Sequence, residues 1–147
     1  MDLKDLYREV ILDPNKSPRL FGKLEPADSA ADGHNPLCGD RLHVTLRLDG
    51  DRVSDLRFEG KGCAISVASA SLMCEAVKGK RRDEIDHLFH EIHEVLTHHD
   101  APIPEDLGKL AALSGVRDFP VRVKCATLAW HTLNAALTRS AAAAKTE

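Results

Sequence analysis

The stretch RLHVTLRL, residues 41–48, alternates without a break. Leu42, Val44, Leu46 and Leu48 fall on one side; Arg41, His43, Thr45 and Arg47 fall on the other. A period of two is that of a strand with one buried and one solvated face, so the chain must build a sheet and cover one side of it. Asp49-Gly50 supplies turn chemistry. RVSDLRFEG then reads as a second strand, with Leu56 and Phe58 in phase and Val53 out of phase, which predicts a bulge or register break.

Beyond Gly62 the spacing becomes helical. Ile65 to Lys78 sets Val67, Ala70, Cys74 and Val77 on one face, with Ser66 as the candidate N-cap and Gly79 as the stop. DEIDHLFHEIHEVLTHH carries Ile85, Leu88, Phe89, Ile92, Val95 and Leu96 on one stripe, with Asp83 as the candidate cap. A short helix is expected after Pro104, and a last one carries Leu128, Ala129, Thr132, Leu133, Ala136 and Leu137. At the other end, Leu3, Leu6, Tyr7, Val10 and Ile11 mark one face of a helix that Pro14 ends. From Asn15 to Asn35 neither period is present, and the richness in Pro, Gly, Ser and Asp reads as a mobile loop.

These elements predict an α+β fold: a small, mostly antiparallel sheet with helices packed on one face. At 147 residues the chain fits one domain, burying roughly two-thirds of its unfolded surface. That domain is expected to span residues 1–137. The tail 138–147 offers nothing larger than alanine to pack and is expected to fray.

Charged residues make up 29% of the chain, with both signs interspersed and a net charge of -3, which disfavours nucleic acid as the main partner. No run approaches the ~18 apolar residues of a membrane span. The opening MDLKDLYREV is charged where an export signal would be apolar. The expected compartment is the cytoplasm, where thiols stay reduced and cysteines serve metals or catalysis more often than disulfides.

Cys38, Asp40, Cys63 and Cys125 each fall at a loop or element junction, where side chains from distant parts of a chain can converge. Three thiolates and a carboxylate complete a tetrahedral zinc set. In an extended Cys-x-Asp the two side chains point to opposite faces, so Cys38 and Asp40 reach one ion only if Gly39 lets the backbone turn sharply. Spacing alone is a weak signal. The cysteines stand 25 and 62 residues apart with no C-x-x-C pair, and each also reads as a small buried hydrophobe, as Asp40 reads as a turn residue.

The surrounding text is more specific. NPLCGD, GKGCAISVAS, RVKCATLAW, LYREVIL and the Pro18-Arg19-Leu20-Phe21-Gly22 run resemble, in motif and element order from about Leu3 to Leu137, the SufU-like proteins. These are zinc-containing relatives of the IscU scaffolds in the IscU/NifU N-terminal superfamily. Pro14 departs from the family, which has His after the Asp that Asp13 occupies here.

The resemblance implies that Cys38, Asp40, Cys63 and Cys125 bind Zn2+. It also implies that Cys38 accepts persulfide sulfur from a PLP-dependent, SufS-like cysteine desulfurase and serves a downstream iron-sulfur scaffold, so the chain acts as a sulfurtransferase. The rival reading is an IscU-type scaffold assembling an iron-sulfur cluster on the same thiolates. That branch has His directly before the last cysteine, where this chain has Lys124, a cation that cannot ligate. The segment between Cys63 and Cys125 is also longer than in the scaffolds by about a short helix, as in the SufU-like branch. A third reading is an adaptor with purely structural zinc.

Other candidates fare worse. Cys74 lies on an apolar face and reads as a buried thiol. His87, His90, His93, His98 and His99 resemble a metal patch, but His90 and His93 are i and i+3, where H-E-x-x-H needs i and i+4; they read as a solvated face. His34 is explained by its loop. Lys61, Arg122 and Lys124 could balance the charge of the site, yet each also reads as an ordinary solvated cation.

Overall fold

The computed structural model describes residues 20–98, 100–138 and 144–145. Strands β1 (Ser29–Asn35), β2 (Asp40–Asp49) and β3 (Arg52–Lys61) are followed by helices α1 (Ala64–Val77) and α2 (Arg82–Thr97). A 3-10 segment (Glu105–Val116), helix α3 (Pro120–Leu137) and a two-residue β4 (Ala144–Lys145) complete the order. The predicted N-terminal helix lies outside the described residues, as does most of the 138–147 tail.

The sheet order is β3-β2-β1-β4. β1–β2 and β2–β3 are antiparallel, while β4 adds in parallel beside Gly33 and His34. The alternation read in residues 41–48 is realised, with Leu42, Val44 and Leu46 buried beneath the helices. Thr45 is buried on the opposite face as well, where Leu24 crosses the strand and donates its N–H to Thr45 Oγ1 at 3.1 Å. The expected irregularity in β3 is a bulge. Arg47 pairs with Asp55 but Leu48 pairs with Val53, and the extra residue, Ser54, returns Val53 to the core side with Leu56 and Phe58.

The reading of Asn15 to Asn35 as loop is corrected over its last seven residues, which form β1. Its inward positions are Ala31, Gly33 and Asn35, too small or too polar to register as an apolar alternation. They are small because α3 packs against them: a Cβ on Gly33 would collide with Thr132 Oγ1 and stand 3.1 Å from Leu128 Cδ1.

Two helix starts differ from expectation. The N-cap of α1 is Cys63, with extended backbone and a thiol that accepts from Ser66 N at 3.5 Å. Ser66 sits inside the first turn, fully buried. For α2 the cap is Arg81 rather than Asp83, because the chain is still extended there and pairs with Arg52 of the hairpin. Glu84 reaches back to accept Arg81 N at 3.0 Å.

The short helix after Pro104 is present but tighter than an α-helix. Leu107, Leu110, Leu113 and Val116 are its buried large side chains, and a spacing of three lines one face of a helix with three residues per turn. Gly108, at φ 56°, breaks the segment near its start. Helix α3 opens with Pro120 at its first position and buries all six residues of the expected stripe. It is tied to α1 through Trp130 Nε1, which donates to Ser69 Oγ at 3.2 Å, and Ser69 Oγ donates on to Ala126 O at 2.6 Å. Among the described residues no helix is long and apolar enough to cross a membrane.

Candidate metal centre

Three junctions meet at one end of the sheet: the β1–β2 turn, the start of α1 and the first turns of α3. The turn closes by Gly39 N donating to Asn35 O at 2.8 Å, with Gly39 at φ 73°. Open space surrounds the position a Cβ would take. The glycine is therefore needed for its left-handed backbone and not for room. That backbone is the sharp turn the Cys-x-Asp spacing requires.

Cys38, Asp40 and Cys125 are brought together, each with a ligand atom within 4.8 Å of the other two. The Cys125 thiol donates to Cys38 Sγ at 3.3 Å. Cys63 is outside that mutual set but adjoins it in two ways: its thiol reaches Cys125, and its backbone N–H donates to Asp40 Oδ1 at 2.9 Å. Gly62 permits this approach, since a Cβ there would stand 2.7 Å from Asp40 Oδ1.

Burial divides the four donors. Asp40 and Cys125 form a buried floor, while Cys38 and Cys63 are exposed. Burial pushes the Cys125 thiol far above the ordinary cysteine range, and its hydrogen bonds with Cys38, Asp40 and Cys63 push the same way. Lys61 and Arg122 are exposed, Lys124 is half-buried, and among the described residues none forms an ion pair with these donors. Arg122 instead stacks over the Phe119 ring at 5.1 Å. Three sulfurs and a carboxylate, with no built-in counter-charge, suit a thiophilic divalent cation.

Sequence reasoning missed Asn35. It is fully buried, and its amide nitrogen faces both Asp40 Oδ2 at 3.4 Å and Cys125 Sγ at 3.6 Å. Its Oδ1 accepts Leu37 N at 3.2 Å. It thus joins the floor of the site to the turn carrying Cys38. Its place in the NPLCGD run was the available signal. His34 lies on β1 opposite Arg41 and outside the donor group. Cys74 is buried in α1 with its thiol pushed up to about 12, by burial above all.

A three-stranded antiparallel core sheet under helices, with a Cys-x-Asp turn facing a helix-capping Cys and a helix-borne Cys, defines one class of protein. The NifU-like N-terminal domain family matches residues 6–145, and the chain belongs to that family. Within it, the chain is 45% identical over 135 residues to the zinc-dependent sulfurtransferase SufU of Bacillus subtilis, covering 90% of this chain and 89% of that one. It is 40% identical to the iron-sulfur cluster assembly scaffold protein IscU of Streptococcus pyogenes, over 95% of this chain and 87% of that one. A candidate iron-sulfur cluster assembly scaffold of the SUF system from Fervidobacterium islandicum superposes with a TM-score of 0.81 at 35% identity, covering 90% and 97% of the two chains.

Proposed function

We propose that this chain is a zinc-dependent sulfur acceptor in iron-sulfur cluster biogenesis, working in the cytoplasm with a PLP-dependent, SufS-like cysteine desulfurase and passing sulfur to a downstream scaffold. The observation that carries the reading is the division of the donor set: Cys38 stands exposed on a turn, at the edge of a buried floor made by Asp40 and Cys125. A group that must meet a partner's sulfur has to be at such an edge.

Cys38, Asp40, Cys63 and Cys125 would hold the zinc. When bound, it keeps the thiols deprotonated at neutral pH and protects them from oxidation. The chain's own residues do the rest. The Cys38 thiolate attacks the outer sulfur of a persulfide on the desulfurase. The partner's S–S bond breaks, its cysteine leaves as a thiolate, and a new S–S bond leaves the persulfide on Cys38; one thiolate is consumed and one released, with no net redox change. Asn35 steers the turn through Leu37 N while holding Asp40 and Cys125. Leu37, Phe119 and Val121, all large apolar side chains more than half exposed, lie close in sequence to Cys38 and Cys125 and offer a contact rim for the partner.

A desulfurase assay with the partner from the same cell tests this, comparing wild type with Cys38→Ala and measuring sulfide, persulfide on the chain and bound metal together. The expected result is loss of stimulated sulfide production. Undiminished production by Cys38→Ala would overturn the transfer role. The second reading, a scaffold, is favoured by the scaffold names of relatives such as the Streptococcus pyogenes protein. It calls for a brown protein after anaerobic reconstitution, whereas the zinc acceptor stays colourless.

A further inference from the structure

The histidine-bearing face of α2 is not uniformly solvated. His87 and Glu91 stand one turn apart on that helix, with His87 Nε2 at 3.2 Å from Glu91 Oε1. Asp106, from the start of the 3-10 segment, joins them: one ligand atom from each of the three lies within 4.8 Å of the other two. From this geometry we infer a second metal site, formed by His87, Glu91 and Asp106, that takes a divalent cation of the zinc, cobalt or nickel class and bridges α2 to the 3-10 segment.

Three observations carry it. The donors are an imidazole and two carboxylates from two separate elements, a nitrogen-oxygen set that such ions accept with three protein ligands and positions left for water. Glu91 is mostly shielded from water, with 14% of its side chain exposed, and among the described residues its ion-pair partner is His87 alone. Its carboxyl is held above the usual range, first by burial and then by the charge of Asp106 and a hydrogen bond from it, with His87 opposing. Two carboxylates this close need a positive charge or a shared proton between them, and no Lys or Arg among the described residues pairs with either one.

The placement gives the ion a task distinct from the cysteine centre. Leu107 and Leu110 seat the 3-10 segment in the core, and its far end leads through Val116 and Phe119 into α3 and Cys125. A cation at Asp106 would fasten the exposed start of that segment to α2.

Cobalt(II) tests the site, because a nitrogen-oxygen environment gives weak visible bands without the intense thiolate-to-metal charge transfer of a cysteine site. Bound Co2+ is measured by equilibrium dialysis and absorption in wild type, His87→Ala, Asp106→Asn and, as a control on the same helix, His93→Ala. Wild type and His93→Ala are expected to hold one Co2+ more than His87→Ala and Asp106→Asn. The difference spectrum should lack charge-transfer bands, and added metal should raise the thermal midpoint further in wild type and His93→Ala than in the two site variants, whose cysteine centre is intact. Equal Co2+ binding by wild type and both site variants would overturn the proposal, as would a difference spectrum dominated by thiolate charge transfer. Unchanged circular dichroism of the variants guards against a folding artefact.

Discussion

Asp40 Oδ1 accepts a 2.9 Å hydrogen bond from the backbone N–H of Cys63, so the turn after β1 and the start of α1 are tied to each other by the protein's own groups. Asp40→Ala removes that acceptor and the one facing the Asn35 amide, leaving donors unpaired at a cost of about 1–3 kcal/mol. Asp40→Asn retains one acceptor oxygen and should lose less. Urea unfolding of metal-free protein should therefore rank wild type above Asn and Asn above Ala. An Ala variant as stable as wild type would show that the carboxylate has no structural role.

What could be read from the sequence was what depends on bulk apolar area. The alternation in residues 41–48 and the stripes of α2 and α3 register because large side chains face one core. β1 was hidden because Ala31 and Gly33 are chosen to fit beneath α3, a demand invisible without knowing which helix lies above. The short helix after Pro104 is legible from its start signal, while its tighter winding shows only in which side chains are buried, Leu107, Leu110, Leu113 and Val116. At the site, residue types and spacing leave the four donors Cys38, Asp40, Cys63 and Cys125 only a possibility, the Gly39 argument links Cys38 to Asp40, and the motifs around the cysteines single out the full set. The structure brings Cys38, Asp40 and Cys125 within reach of one another. The Cys63 cap and the bridging amide of Asn35 are properties of backbone angles and burial, which a string of letters does not display. His87 reads with its helix neighbours as a solvated face because the His90 and His93 spacing does not fit H-E-x-x-H, and its partner Asp106 comes from a different element, which local spacing does not reveal.

Gly33→Ala should cost about 1–3 kcal/mol, the range for forcing an extra methyl into a packed core, because the new Cβ meets Thr132 Oγ1. Thr132 Oγ1 otherwise only donates back to Leu128 O within its own helix, at 2.7 Å. Adding Thr132→Ala to the glycine variant should then restore most of the urea midpoint. Failure of that rescue would place the strain elsewhere along β1.

Phe119 is a rim residue by exposure, 51% open to solvent, and it carries the Arg122 guanidinium over its ring. If the rim meets the desulfurase, Phe119→Ala should raise the concentration of this protein needed for half-maximal sulfide release by on the order of tenfold, about 1.4 kcal/mol of contact. Bound metal and thermal midpoint should not move, since the ring is not in the core. A parallel loss of metal would instead mean that Phe119 supports the cysteine centre.

Cys74 separates buried from reactive thiols. Burial raises its thiol to about 12, with nearby Arg57 opposing, so alkylation of native metal-free protein at pH 8 should label Cys38 and spare Cys74. The same shift carries a pH dependence. In the unfolded chain this thiol ionises near pH 8.5. Between there and about 12 the unfolded state therefore holds fewer protons than the folded one, and stability falls as pH rises, by up to roughly 1.4 kcal/mol per pH unit. Cys125, also raised, adds a slope of its own, so the readout is a difference: unfolding free energy in reductant from pH 8 to 10 for wild type against Cys74→Ala. The variant will be less stable at pH 8, having lost buried sulfur, but its decline with pH should be the shallower one. Parallel curves would mean that Cys74 ionises alike in the folded and unfolded chains, and hence that α1 opens to solvent around it.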